Sequence, residues 1–246
     1  MSQPEMETIR SPNEGPRAPG KPLDMLILHY TGMESAERAL KWLVDPESAV
    51  SSHYFVFEDG RIVRLVDEDR RAWHAGKSVW EGETDINSRS IGIEIANPGH
   101  EFGYRDFPEA QIAAVTALSR DIVARLQIPP LHVLAHSDVA PMRKEDPGER
   151  FPWRRLAEAG VGLWVEPSPI VSGPVLQGGD HGPGVGALKQ RFKKLGYGIG
   201  EDSEFDDLTE AVVTAFQRHW RPARVDGVAD VSTVATLEKL LAAAKT

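Results

Sequence analysis

A histidine, a lysine and an aspartate share one short connection in this chain: His136, Lys144 and Asp146, within the segment from His136 to Gly148. Imidazole and carboxylate are zinc ligands, and a lysine beside them can hold a developing negative charge. A second histidine, His29, ends the apolar run Leu23 to Leu28, and His136 directly follows another, Leu131 to Ala135. If both runs are parallel strands of one α/β sheet, both imidazoles reach the crevice at its carboxyl edge, the usual place for ligands. Asp146 can return over that edge on a loop that continues with Pro147 and Gly148. Two histidines and one aspartate leave a tetrahedral zinc an open fourth position for water, which is the catalytic rather than the structural arrangement. Glu94 lies between Ile93 and Ile95 in a strand-like run, where a glutamate is depleted by propensity and costly to bury unless paired or functional. Beside an activated water it is a natural general base, and then the proton donor to a leaving amine.

The rest of the composition narrows the chemistry. No cysteine occurs among the 246 residues, so disulfides, thiolate nucleophiles and sulfur ligands are excluded and a metal must be held by His, Asp or Glu. A formal net charge of −9 argues against a general nucleic-acid or anionic-membrane binder. No run of about 18 apolar residues occurs, so no membrane span is expected. The start, Met1 to Lys21, is polar and lacks an apolar signal core. That reading predicts a cytoplasmic protein, with a periplasmic or wall-associated one as the alternative if a signal was removed or another export route is used.

The elements that must position these groups follow from periodicity. Leu23 to His29, Ser90 to Ala96 and Leu131 to Ala135 read as strands, and His53 to Val66 as a hairpin turning at Asp59-Gly60. In Ser90 to Ala96 the alternation puts Ile91, Ile93 and Ile95 on one face, Gly92 and Glu94 on the other. Glu34 to Val44, Phe107 to Leu126 and Phe151 to Ala159 read as helices. The fold class is α/β, a mixed central sheet flanked by helices, followed by a small all-α three-helix domain. Its helices are Val185 to Leu195, Asp207 to Trp220 and Val231 to Ala243. The domain boundaries are a flexible segment over 1–20, a zinc-binding catalytic domain over 21–166, a Pro/Ser-rich linker over 167–174 and the helical domain over 175–246.

An ordered set of short motifs carries a family resemblance. Leu28-His29-Tyr30-Thr31, Ser52-His53-Tyr54, Arg71 to Gly76, Ser90 to Glu94 and His136 to Gly148 occur in that order. Over roughly residues 20 to 165 the chain resembles type 2 N-acetylmuramoyl-L-alanine amidases of the AmpD/AmiD group, which share a fold with phage lysozyme amidases and peptidoglycan recognition proteins. The resemblance implies that His29, His136 and Asp146 bind one Zn2+ ion, that Glu94 is the general base and that Lys144 stabilises the transition state. It implies hydrolysis of the amide joining N-acetylmuramic acid, or its 1,6-anhydro form, to L-alanine of the stem peptide. Phage-type members have a cysteine where this chain has Asp146, and a catalytic tyrosine where it has Ser52; Glu94 supplies the missing base. Val175-Leu176-Gln177, Val185 to Tyr197, Phe205-Asp206, Ala215-Phe216-Gln217 and Val225 to Val228 give residues from about 175 to 243 a resemblance to a peptidoglycan-binding domain 1 module, which implies a sugar-peptide binding function. Its plain alternative is a helical domain that only stabilises the fold or mediates dimers.

Around this core, Arg71, Trp73, His74, Asn87 and Arg89 are expected to line the substrate cleft, with His74 hydrogen-bonding sugar or peptide and Arg71 or Arg89 meeting a stem-peptide carboxylate. A packed tryptophan and surface arginines are the competing reading. His53 is expected to be a satisfied strand residue, or one that orients a ligand, and His100, His132, His181 and His219 receive no role. The expected partner is peptidoglycan or a muropeptide, and the expected state a monomer. Two other functions share these ligands: a non-catalytic peptidoglycan sensor, and a zinc peptidase acting within the stem peptide.

Overall fold

The computed structural model describes residues 6–245. The N-terminal stretch is docked rather than detached in its described part. Strand β1 (Glu7–Thr8) and strand β2 (Glu14–Pro16) both belong to sheets. The Arg17 guanidinium reaches under the domain and donates to the carbonyls of Glu68, Asn87, Ser88 and Ser90. Burial lowers its pKa to about 10. Composition hides this docking because most of its partners are backbone carbonyls, with the His53 ring beside them at 2.9 Å.

Strand β3 (Met25–Tyr30) is followed by helix α1 (Ala36–Leu43), whose first turn is capped by the Ser35 side chain accepting from Arg38 N. The hairpin forms as β4 (Tyr54–Val56) and β5 (Ile62–Arg64), paired antiparallel, and β6 (Arg70–Ala72) pairs with β2. The short helix α2 (Ile86–Arg89) feeds β7 (Ser90–Ile95), and α3 (Gly99–Phe102) leads to the long helix α4 (Glu109–Leu126). Strand β8 (Val133–Ala135) runs straight into the short helix α5 (His136–Val139), and α6 (Trp153–Glu158) closes the domain. Among the described residues the main sheet has the order β1-β5-β4-β7-β3-β8. Its centre is parallel: β3 pairs parallel with both β7 and β8, so the carboxyl ends of all three lie on one edge. Mixed pairing with a parallel centre is the expected architecture.

The two faces of that sheet are covered differently. Leu26, Leu28, Ile91, Ile93 and Ile95 pack with Ile112, Val115 and Ile122 of α4. Met25, Ile27 and Leu134 face the other way, into a core that also contains Val185, Leu188, Phe192, Phe216 and Trp220. Those five belong to α7 (Pro183–Leu195) and α8 (Asp207–Trp220), which with α9 (Val231–Ala243) make the C-terminal three-helix unit. Asp206 and Asp230 cap α8 and α9 by accepting from Thr209 N and Thr233 N. The helical unit therefore shares a hydrophobic core with the sheet. The chain between them, expected to be a linker over 167–174, is pinned where Ser168 exchanges hydrogen bonds with Thr236 and Ser232.

Candidate active site

His29 stands at the carboxyl end of β3, directly opposite Glu94 in the parallel register with β7. Residues opposite one another in a ladder project to the same side. His29 and Glu94 therefore leave the sheet on the face away from Leu28 and Ile93. His136 opens α5 immediately after β8, and Asp146 returns ten residues later. That return is closed by Ser137 N donating to Asp146 O at 3.0 Å. Tyr104 holds its far side: its hydroxyl donates to Pro147 O at 2.7 Å and accepts from Arg150 N at 3.0 Å. Gly148 sits under that phenol with φ at +81°, and a Cβ there would lie 2.4 Å from the hydroxyl oxygen.

Hydrogen bonds outside the triad assign the imidazole protons. Ser90 Oγ donates to Ile86 O at 2.7 Å, so its lone pair accepts from His74 Nε2 at 3.1 Å. His74 Nδ1 is then an acceptor and takes the Nε2 proton of His29 at 3.0 Å. His136 donates its own Nε2 proton to Ala75 O at 3.1 Å. Both Nδ1 atoms are thereby left bare, 2.9 Å apart and each 3.0 Å from Asp146 Oδ2. Three electron-pair donors at such distances repel one another unless a cation lies among them. The donor set is nitrogen and oxygen, all three residues are buried, and each imidazole is oriented by a second hydrogen bond, which is how protein zinc ligands are held. His29 is poised to ligate at neutral pH, because burial first and the neighbouring His136 second lower its pKa to about 4.

Glu94 has the opposite electrostatics. Burial, and after it the charge on Asp146, raises its pKa well above the ordinary carboxylate range, with Lys144 pulling the other way. Its Oε2 is buried and has no hydrogen-bond partner among the described residues. A cleft of about 410 Å³ opens over the triad, lined by Glu94, His136, Lys144 and Asp146 and walled by Trp42 and Trp73. The arrangement can bind a metal, hold a proton at Glu94 and neutralise an oxyanion at Lys144.

The sequence profile of the N-acetylmuramoyl-L-alanine amidase family matches residues 19–149. The chain is 38% identical over 232 residues to N-acetylmuramoyl-L-alanine amidase AmiD of Escherichia coli (strain K12), covering 89% of this chain and 82% of that protein. The chain belongs to the N-acetylmuramoyl-L-alanine amidase family. A solved structure of E. coli AmiD in complex with anhydro-N-acetylmuramic acid-L-Ala-D-gamma-Glu-L-Lys superposes on this amidase with a TM-score of 0.77 at 36% identity, covering 92% of each chain. The 1,6-anhydro-N-acetylmuramyl-L-alanine amidase AmpD of Escherichia coli (strain K12) is 32% identical over 165 residues, which is 60% of this chain and 88% of AmpD. A peptidoglycan binding domain family matches residues 181–237.

Within the amidase, the metal and catalytic candidates converge, while most of the expected substrate contacts lie elsewhere. Trp73 lines the cleft. His74 touches it too, but both ring nitrogens are engaged, so it orients His29 instead of greeting sugar or peptide. Gly92 leaves the room for that ring, since a Cβ there would lie 2.5 Å from His74 Cγ. Asn87 accepts from the backbone of His74 and Ala75 and so shapes the turn. Arg71 is paired with Asp85 at 3.0 Å. Arg89 grips Asp24 beyond the opposite, amino end of the sheet, because a residue just before β7 cannot reach the carboxyl edge. His53 is the satisfied residue expected, accepting from Gly92 N and contacting Arg70 O.

Two residues missed in the sequence matter here. Arg143 donates to Ala75 O and Lys77 O and thereby fixes the carbonyl that orients His136. Its position one place before Lys144 was the available signal. Asp138 accepts three hydrogen bonds while wholly buried, two of them from the C-terminal unit.

These protonation states make the zinc-free amidase acid-sensitive. Burial first of all lowers His29 to about 4, His53 to about 3 and His74 well below its ordinary 6.5. As pH falls through 6.5 the unfolded chain takes up those three protons and the folded chain refuses them. Glu94 opposes above its ordinary 4.5, where the unfolded chain loses a proton that the folded one keeps. These three, joined by His219, which burial also lowers, outweigh one carboxyl group, so stability rises with pH across that window. The melting temperature of chelator-treated protein is expected to climb from pH 4.5 to about 6. A flat or falling profile would contradict the assignment.

Proposed function

We propose that this amidase holds one Zn2+ ion between Nδ1 of His29, Nδ1 of His136 and Oδ2 of Asp146, and uses it to cleave the amide between the lactyl group of N-acetylmuramic acid and L-alanine of a stem peptide. The observation that carries the metal is the convergence of three proton-free donors within 3.0 Å of one another. Bound there, zinc supplies a Lewis acid that polarises the scissile carbonyl and acidifies water.

The chain's own groups do the rest. Glu94, in register with His29, takes the proton of the attacking water and passes it to the leaving amine. A carboxyl group whose pKa is raised by burial holds the water's proton more firmly than an ordinary carboxylate until the amine leaves. Lys144 lines the same cleft and holds the oxygen that becomes negative when the carbonyl is attacked. The Trp42 and Trp73 wall offers flat apolar faces to the sugar. The products are a muramic acid with a free lactyl carboxylate and a peptide with a free α-amine. The anhydromuropeptide bound by the AmiD relative supports a soluble or wall-derived fragment of that class as substrate.

Mass spectrometry of anhydromuropeptide incubated with the zinc-loaded protein tests this. The expected products are the sugar acid and an intact stem peptide beginning with L-alanine. Cleavage between stem residues would replace the reading with a peptidase, and bound but uncut substrate would replace it with a sensor.

A further inference from the structure

We infer that the C-terminal helical unit is a positioning element of the metal centre, acting through Tyr197, His219 and Arg218 on the His136–Asp146 segment. The inference rests on the reading of His29, His136 and Asp146 as metal ligands. It begins at Asp138, two residues after His136 and wholly buried. One carboxylate oxygen accepts from Tyr197 Oη at 2.7 Å. The other accepts from His219 Nδ1 at 2.6 Å and from Ala135 N at 2.8 Å. Ala135 is the last residue of β8 and the direct neighbour of His136. One carboxylate therefore ties the backbone at the ligand to two side chains of the helical unit.

Both of those side chains are themselves fixed. The His219 ring is stacked between Trp153 at 3.7 Å and Trp220 at 3.6 Å. Tyr197 packs edge-on against Trp80 and Phe192. The other end of the segment is held from the same helix. Arg218 Nη2 donates to Glu145 at 2.7 Å, and its Nε lies 3.8 Å from Glu149, so it brackets the ligand Asp146 on both sides. Helix α5, which carries His136, packs directly on α8, which carries Arg218 and His219. A buried carboxylate deprived of its donors does not stay in place, because an unpaired charge in a dry interior is costly. Its movement would be passed to His136 through Ala135. Outer hydrogen-bond partners of this kind typically change metal affinity about 10–100-fold.

The test measures the zinc dissociation constant of the full-length protein by competition with a chelating dye. Y197F deletes one donor and leaves the ring packed; H219F deletes the other and keeps an aromatic ring between the two tryptophans. H219N does the reverse, since its amide can donate to Asp138 but cannot stack. Y197F and H219F are each expected to weaken zinc binding about 10-fold. H219N is expected to bind close to wild type even though its melting temperature falls. Wild-type affinity in Y197F and H219F would overturn the inference, as would an H219N as weak as H219F, because packing alone would then explain the effect. Should H219F not fold, Y197F decides by itself. A wild-type protein that binds no zinc would remove the ligand assignment and this inference with it.

Discussion

Replacing Glu94 by glutamine is expected to lower the rate of amide cleavage by about 10²–10⁴-fold while zinc stays bound. Glutamine keeps the shape and fills the same place on β7 but cannot accept a proton at neutral pH. The carboxylate lies opposite His29 in the strand register, yet the three mutually close donor atoms belong to His29, His136 and Asp146. Removing the Glu94 charge therefore leaves the ligand set intact. Its buried Oε2 has no hydrogen-bond partner among the described residues, so it is free to receive the water's proton and pass it on, as proposed. The check is kcat/KM with zinc content measured on the same sample. Loss of zinc together with activity would make Glu94 a ligand, and retained activity would place the base elsewhere.

Asp146→Asn is the second large effect and works on the metal instead of the proton. The bare Nδ1 atoms of His29 and His136 each lie 3.0 Å from Asp146 Oδ2. An amide nitrogen in that place donates a hydrogen to one imidazole, so the triad becomes a closed neutral cluster with no need of a cation. Zinc affinity is expected to fall at least about 100-fold, the upper end of what outer partners alone produce. Activity should fall to background. The same exchange should raise the melting temperature of the chelator-treated protein, since it replaces repulsion among lone pairs with a hydrogen bond. A titration with zinc and a pair of melting curves read both signs. An Asn variant that binds zinc as tightly as wild type would remove Asp146 from the ligand set.

Much of this site could be read before any coordinates. His29 and His136 follow apolar runs, and parallel pairing of those strands brings strand ends together on one edge, so sequence distance ceased to matter. Period-two alternation separated Glu94 from Ile93 and Ile95 correctly, because a strand offers only two faces. The helices of the C-terminal unit were legible for the same reason, each with a regular apolar stripe. The arginines were not. Arg71 and Arg89 look like free cations in sequence, but each has a carboxylate partner, Asp85 and Asp24, and long-range pairing leaves no local pattern. His74 lines the cleft as expected, but its ring partners, His29 and Ser90, were hidden because they are remote in the chain or on another element. Docking of the N-terminal stretch and of the helical unit was equally hidden. Arg17 is held by remote backbone carbonyls and the His53 ring, and the core shared by Ile27 and Phe216 joins residues that no periodicity relates.

Three proton-free donors from β3, α5 and the loop behind it are proposed to form one zinc site. Zinc-edge anomalous diffraction from crystals of the zinc-loaded protein tests it most directly. A single strong peak bonded to Nδ1 of His29, Nδ1 of His136 and the Asp146 carboxylate is the predicted result. A peak bonded through Nε2, a peak elsewhere, or none at the triad would contradict the account.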